Sequence, residues 1–386
     1  MKSRWRYVLC KSSRYAKNPL WLPAALLHRS LAQAQKACPR ESVLHNAPRL
    51  QSAIRGLDPG YFGLVMATGI VSRAMTLDGV AVLPDILLGI TIASYLLLAA
   101  AYAWRLARYP DEVRADARDP RGASGFFTLA AGSDVLAAAL AAGGHLAAAA
   151  VLLAIGGTSW LLLSYGIPLL LAGAARPGPA LAGANGTWFL WPVAAQSVAV
   201  GVTSLTPPVG GTLGAALAVS CWALGVILYL LVTGLVVAVL LAVPVRPSAL
   251  TPAYWVFMGA TAISVLAGAQ ILRLPPGPLL AAVRAAVAGL SVVLWAFGTW
   301  LIPLLVFLGV WRHALRRVPL AYEPAWWSIA FPAGMYGVAS HELGVALRVP
   351  WLVTLGRAEA WAALAVWALV FLAMIAALVR RPSGRR

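Results

Sequence analysis

Ten long apolar stretches follow one another along most of the chain. They lie near 59–77, 86–104, 125–142, 146–172, 186–204, 212–243, 254–272, 279–311, 324–341 and 353–379. A helix of roughly 20 apolar residues crosses a bilayer, and helix is the open-chain structure that satisfies backbone groups in lipid. The pattern predicts an all-α integral membrane protein with ten transmembrane helices, called spans 1 to 10.

Each odd-numbered span opens with two adjacent aromatic residues. The pairs are Tyr61-Phe62, Phe126-Phe127, Trp188-Phe189, Tyr254-Trp255 and Trp326-Trp327. Their spacings of 65, 62, 66 and 72 residues indicate an internal repeat, one helical hairpin in each of five units. We interpret the rings as an aromatic belt at one membrane surface, which is compatible with a repeat.

Odd and even spans differ in composition. Odd spans carry small or helix-bending residues after the aromatic pair, including Pro192 and Pro332, whereas even spans are long and rich in Leu, Ala and Val. Small residues let helices approach closely, and Pro bends a helix. We expect kinks at both prolines, odd helices inside and even helices facing lipid. Five inner helices would then surround a central pore, although five repeats could also stack without one.

Positive charge is distributed unevenly among the connections. Of 30 Lys and Arg residues, 25 lie in the two termini and in the joins after spans 2, 4, 6 and 8. Basic connections stay cytoplasmic, so we expect a multi-pass protein of the cell membrane with both termini in the cytoplasm. The net charge of +18 therefore reports topology and predicts no nucleic-acid partner.

Composition excludes several classes of protein. Apolar residues make up 61% and charged residues 11%, which excludes an ordinary soluble enzyme and a disordered chain. Three cysteines without a CxxC pair support neither a disulfide scaffold nor a cysteine metal site. No ATP-binding loop motif or hydrolase motif is present, so we predict no enzyme activity, no metal and no cofactor.

The two ends of the chain differ from its middle. Residues 1–57 form a basic tail whose apolar run is too short to span, 58–379 form the membrane domain, and 380–386 form a second basic tail. The first tail could bind anionic lipid, act as a disordered regulator, or be translated upstream sequence from a wrong start. We favour disorder or a wrong start.

Three segments resemble a known family. Residues 58–72 (DPGYFGLVMATGIVS) resemble the first span of the tellurite-resistance/dicarboxylate transporter family, which includes malic-acid permeases and slow-type anion channels. Residues 325–332 (AWWSIAFP) resemble its ninth span, and 185–192 (NGTWFLWP) its bacterial dicarboxylate branch. The resemblance covers about 55–380. It implies five helical hairpins in a quasi-five-fold array around a central pore, often as a homotrimer, with an anion passing through each subunit. It also implies a phenylalanine gate on span 9, which matches Phe331.

Aligning the aromatic pairs without gaps places residues of the odd spans at common levels. The level of Phe331 also holds Met66, Ala131, Val193 and Gly259. The level three residues later holds Gly69, Asp134, Gln196, Ala262 and Gly334. The level four residues later holds Ile70, Val135, Ser197, Ile263 and Met335. Positions three, four and seven residues apart share a helix face, so Arg73, seven residues after Met66, lies on the same face of span 1. We treat Phe331 as the gate, with a packing role as the alternative. Met66, Gly69, Arg73, Ala131, Asp134, Val193, Gln196, Gly259 and Gly334 are the pore-lining candidates.

The polar candidates each allow two interpretations. Asp134 could exchange protons coupled to transport or could be a buried acid that fixes helix packing. Arg73 could concentrate anions at the outer mouth or could reach lipid headgroups. Gln196 could hydrogen-bond an anion or a neighbouring helix. We place His341-Glu342 in or beside the join after span 9 and assign it no chemistry.

These features predict transport of small anions, above all C4-dicarboxylates such as malate and succinate, or inorganic anions. The expected partners are the anionic solute and the bilayer. Alternatives are sulphite or tellurite-related efflux and, in a different class, a non-transporting membrane sensor whose basic tail binds a partner.

Overall fold

The computed structural model describes residues 50–173, 180–206, 211–242, 244 and 246–380. The chain divides into two units, Met1–Gly56 and Leu57–Arg386. Within the first unit, the described residues 50–55 are helical. Most of the predicted basic tail of residues 1–57, and 381–386 of the second tail, lie outside the described residues.

The second unit is helical, and its described residues contain no strand. Its α-helices are α1 Gly63–Leu77, α2 Leu83–Arg108, α3 Pro110–Arg118, α4 Phe127–Ala142, α5 Leu146–Gly173, α6 Leu190–Leu205, α7 Gly211–Ala242, α8 Val256–Leu272, α9 Pro278–Val310, α10 Trp327–Leu347 and α11 Pro350–Arg380. All except α3 correspond to predicted spans. The polar helix α3 has no apolar run, so hydropathy does not predict it.

Eight of these helices are long and apolar enough to cross a membrane, judged by length and composition in the part of the chain that is described. They are α2, α4 to α9 and α11. Besides the polar helix α3, the helices that do not meet this criterion are α1, with 15 residues, and α10, which contains His341 and Glu342. These two correspond to predicted spans 1 and 9.

A 3-10 turn precedes each helix of the odd-numbered spans. The turns are Pro59–Phe62, Ala123–Phe126, Gly186–Phe189, Pro252–Trp255 and Pro324–Trp326. The second ring of four aromatic pairs is buried: Phe62, Phe127, Phe189 and Trp327. Phe62, for example, packs 5.5 Å from the ring of Tyr95 and 5.3 Å from that of Tyr102. The belt interpretation is wrong for these four rings, because they join helices in the protein interior.

Burial separates two sets of helices. In α4, α6 and α8, each with its 3-10 turn, 61–83% of the most apolar stretch is buried, against 22–33% in α2, α5, α7, α9 and α11. Most residues of α1 and α10 are buried as well. We call α1, α4, α6, α8 and α10 the inner helices and α2, α5, α7, α9 and α11 the outer helices. This burial agrees with the division predicted from composition.

The inner helices contact one another in cyclic order. The contacting pairs are α1 with α4, α4 with α6, α6 with α8, α8 with α10, and α10 with α1. Each outer helix packs against the inner helix that precedes it in the chain and also contacts the next inner helix. Tryptophans of the outer helices reinforce this packing: Trp367 Nε1 donates to Thr68 Oγ1 at 3.0 Å, and Trp222 Nε1 to the Ser264 carbonyl at 2.9 Å.

Candidate functional site

A cavity of about 130 Å³ lies between the N-terminal ends of the inner helices. We call it the N-side cavity. One residue from each inner helix lines it at the position directly after the aromatic pair: Gly63, Thr128, Leu190, Val256 and Ser328. Asp58 and Arg121 also line it, as do Met66 and Phe331 one turn further along their helices.

A second cavity, of about 190 Å³, lies toward the C-terminal ends of the same helices. We call it the C-side cavity. Its lining again takes one residue from each inner helix at a common level: Ile70, Val135, Ser197, Ile263 and Met335. Arg73 lines it one turn further on, together with Ala138, Val200, Leu266 and Val338 from the same level. Because the same five helices line both cavities at successive levels, the two lie along one axis.

Phe331 lies between these two levels. Its side chain is 2% exposed and lines the N-side cavity, and Met335, four residues on, lines the C-side cavity. Met66 shares its level and lines the N-side cavity as well. The other residues of this level, Ala131, Val193 and Gly259, are buried and belong to the lining of neither cavity.

The glycine candidates lie where inner helices approach closely. A Cβ added at Gly259 would meet Pro332 Cγ at 2.8 Å, and one at Gly334 would meet Ile70 Cγ2 at 2.9 Å. A Cβ at Gly69, which lines the C-side cavity, would meet Val135 Cγ1 at 2.8 Å. These glycines therefore permit the close approach of the inner helices at the level of Phe331 and at the next level toward the C-side cavity.

Asp134 is fully buried and belongs to the lining of neither cavity. Its Oδ2 accepts a hydrogen bond from Ser197 Oγ at 2.8 Å, and its Oδ1 has no hydrogen-bond partner among the described residues. A Cβ on Gly156 of α5 would lie 2.1 Å from Oδ1. The carboxyl group thus fills the contact between α4, α5 and α6, which favours the packing interpretation. Ser197, however, links it to the C-side cavity.

Gln196 also points toward an outer helix. Its Nε2 donates to the Trp222 carbonyl of α7 at 3.0 Å, and a Cβ on Gly225 would lie 2.5 Å from the same nitrogen. Gln196 is fully buried and belongs to neither cavity lining. Its contacts favour the interpretation in which it bonds a neighbouring helix.

Prolines occur in both sets of helices. Pro332 is the sixth residue of α10 and lies inside that helix, whereas Pro192 is the third residue of α6, close to the preceding 3-10 turn. Pro168 and Pro303 lie inside the outer helices α5 and α9. Proline therefore does not distinguish inner from outer helices.

The structure gives Glu342 a role that the sequence does not suggest. Helix α10 continues to Leu347, so Glu342 lies within the helix rather than in the join after it. The carboxylate is buried, with 3% of its side chain exposed. Its Oε1 lies 3.1 Å from Arg73 Nη2, and its Oε2 contacts Arg273 Nη1. Two guanidinium groups offset the cost of burying this charge, which lets the helix continue through it.

The sequence alone does not reveal this cluster, because its members are far apart in the chain. Arg73 is 269 residues from Glu342, and Arg273 is 69 residues from it. The sequence feature that could have pointed to it is an acidic residue, Glu342, directly after the predicted span 9. Among the described residues, no group of three or more His, Cys, Asp or Glu could hold a metal ion.

Comparison with known proteins identifies the family of the chain. The family described as SLAC1, voltage-dependent anion channel, matches residues 56–375. An uncharacterized membrane protein of Mycobacterium tuberculosis is 53% identical over 161 residues, which is 41% of this chain and 81% of the relative. Two uncharacterized transporters of Methanocaldococcus jannaschii are 21% and 22% identical, over 83% and 76% of this chain and 92% and 86% of their own lengths. The family match covers the whole ring of inner helices and both cavities, and the chain belongs to the SLAC1 family of membrane channels and transporters.

Proposed function

We propose that this protein passes small anions across the cell membrane along the axis shared by its two cavities. The observation that carries the proposal is the common register of the inner helices, in which one residue from each of five helices lines each cavity. The family match supports an anion as the solute. Helices α1 and α10 complete ten spans in a quasi-five-fold array, since inner helices contact little lipid and need fewer apolar residues.

The orientation of the inner helices supports a preference for anions. All five begin at the N-side cavity, so their N-terminal ends surround it. The N-terminus of a helix carries a partial positive charge, which attracts anions. Arg121 adds a positive charge to the same cavity and Asp58 a negative one, so these two side chains offset each other. The partial positive charges of the five helix N-termini then remain to attract anions toward Phe331.

Phe331 is the proposed gate. Its ring is nearly fully buried at the level between the cavities, which it shares with the apolar residues Met66, Ala131, Val193 and Gly259. An apolar constriction of this kind closes a path by excluding water. Removal of the ring should open the path, because Pro332 and Gly259 continue to hold the backbone in contact.

The solute is best identified by a flux panel. We expect purified protein in liposomes to move at least one of malate, succinate, chloride, nitrate and sulphite faster than empty liposomes. Flux of sulphite alone would favour the efflux alternative. Movement of none of the five by folded protein would contradict the proposal and favour a non-transporting sensor. The proposal also includes a homotrimer with both termini in the cytoplasm. The oligomeric state can be measured on the same purified protein.

A further inference from the structure

The cluster of Arg73, Glu342 and Arg273 joins three inner helices at the C-side end of the axis. Arg73 belongs to α1, Glu342 to α10, and Arg273 is the residue that follows α8. Arg73 lines the C-side cavity, as does Gln270, one turn before Arg273. An anion that travels the proposed path therefore passes these charges.

Exposure within the cluster is uneven. The carboxylate side chain is 3% exposed, whereas the side chains of Arg73 and Arg273 are 37% and 52% exposed. Each guanidinium contacts the carboxylate through one nitrogen, and a guanidinium has five N–H donors. Both arginines can thus hold Glu342 and still offer hydrogen bonds to an incoming anion.

The charges of the cluster sum to +1, because two guanidinium groups face one carboxylate. Arg357 on the same side of the protein has a different acidic neighbour, Asp78, at 3.9 Å. The fixed carboxylate lowers the positive charge of the site from +2 to +1. It would also repel the second charge of a dianion held by the same arginines, and like charges brought together are strongly unfavourable.

We propose that Arg73, Glu342 and Arg273 form an anion site whose net charge of +1 selects monovalent anions over dicarboxylates. This inference rests on the proposed function and narrows its solute to monovalent anions such as chloride or nitrate. Glu342 acts as a positioning residue that fixes both guanidinium groups. Its carboxylate also competes with the solute anion for their N–H donors. The site adds an electrostatic filter to the steric gate at Phe331.

Charge substitution tests the proposal. Glu342→Gln keeps the size of the side chain and raises the site to +2, Arg273→Gln lowers it to 0, and the double variant returns it to +1. In liposomes, we expect Glu342→Gln to raise the succinate-to-chloride flux ratio by about tenfold and Arg273→Gln to lower the flux of both anions. The double variant should return the ratio close to that of the wild type.

A control separates this effect from a general change of charge. Glu359→Gln removes one negative charge from the half-buried Glu359 of α11, which forms no ion pair with either arginine in the described residues. We expect it to leave the flux ratio unchanged. The amount of folded protein is measured by gel filtration for every variant. If Glu342→Gln does not fold, the order in which chloride and succinate stabilise the wild type, described below, still tests the proposal.

A binding measurement separates failure of this inference from failure of the proposed function. Anions that bind the folded state raise its thermal unfolding temperature in detergent, with no need for transport. Chloride should stabilise the wild type more than equimolar succinate, and Glu342→Gln should reverse that order. This result without flux in the wild type would contradict the proposed function alone. Wild-type flux with the same flux ratio and the same order of stabilisation in all variants would overturn the charge filter.

Discussion

Adjacent residues on an inner helix face different surroundings. Ser197 lines the C-side cavity, while Gln196 beside it bonds the Trp222 carbonyl of an outer helix. Val135 and Asp134 differ in the same way. Successive residues of an α-helix are rotated by about 100°, so one position is enough to turn a side chain from the axis to a packing contact. The polar candidates Asp134 and Gln196 therefore lie behind the lining of the two cavities rather than in it.

Asp134→Asn tests the packing interpretation of this carboxyl group. Asn has nearly the same shape, and its amide can donate to Ser197 Oγ, so we expect a loss of stability of no more than about 1–2 kcal/mol. Flux of every anion should scale with the amount of folded protein, and its pH dependence should match that of the wild type. Flux measured between pH 5 and 8 checks this. Loss of pH dependence at equal folded protein would instead support proton coupling through Asp134.

At the scale of helices, the contact between α4 and α5 depends on a missing side chain. A Cβ at Gly156 would lie 2.1 Å from Asp134 Oδ1 and 3.0 Å from the Ala130 carbonyl, whereas one at the adjacent Gly157 would meet nothing within 4 Å. Gly156 and Gly157 occupy successive positions of the same outer helix. Substituting each of them with Ala changes helix propensity equally, so a difference in stability between the two variants reports the packing contact.

Gly156→Ala should destabilise the protein, and Gly157→Ala should not. Forcing a methyl group into a packed contact typically costs about 1–3 kcal/mol, while Ala in place of Gly inside a helix gains up to about 1 kcal/mol. Thermal unfolding in detergent, followed by tryptophan fluorescence, measures both. Equal unfolding temperatures for the two variants would show that α4 and α5 do not pack as described.

Some elements of this fold can be predicted from the sequence and others cannot. The aromatic pairs identify equivalent positions of the inner helices, because each pair lies where a 3-10 turn meets the following helix and residues after it line the cavities at common levels. The pore-lining roles assigned from that register stay predictions. Hydropathy finds the outer helices because they are exposed and apolar. It does not find α3, which is polar, or the end of α10, where Glu342 is neutralised by arginines from distant parts of the chain. Partners of that kind are set by tertiary contacts, which a single sequence does not reveal.

At the scale of the whole protein, the distribution of basic residues distinguishes the two ends of the inner helices and predicts how the protein is oriented in the membrane. The joins after spans 2, 4, 6 and 8, which together with the two termini contain 25 of the 30 basic residues, adjoin the N-terminal ends of the inner helices, where the N-side cavity lies. Arg73, Arg273, Arg284, Arg348 and Arg357, the five basic residues outside both those joins and the two termini, lie toward the C-terminal ends of the inner helices. The positive-inside rule then predicts that the N-side cavity faces the cytoplasm and the C-side cavity the outside.

Reporter fusions test this orientation. A reporter that is active only outside the cytoplasm should be silent when fused after Arg386 and active when inserted after Gly144, in the short connection between α4 and α5. An insertion after Arg121, before the turn that leads into α4, serves as the cytoplasmic control. Activity after Arg386 and silence after Gly144 would reverse the direction of the whole path.

The central claim is that an anion path runs along the axis of the inner helices and is closed by Phe331. Chloride efflux from liposomes that contain Phe331→Ala tests it most directly. We expect efflux to rise by about tenfold over the wild type at equal folded protein, which corresponds to a barrier lower by ~1.4 kcal/mol, and Phe331→Leu should give a smaller rise. Phe257→Ala removes the same ring from a stack with Phe189, outside both cavity linings, and should lower stability without raising efflux. Unchanged or lower efflux in folded Phe331→Ala would contradict the claim that this ring closes the path.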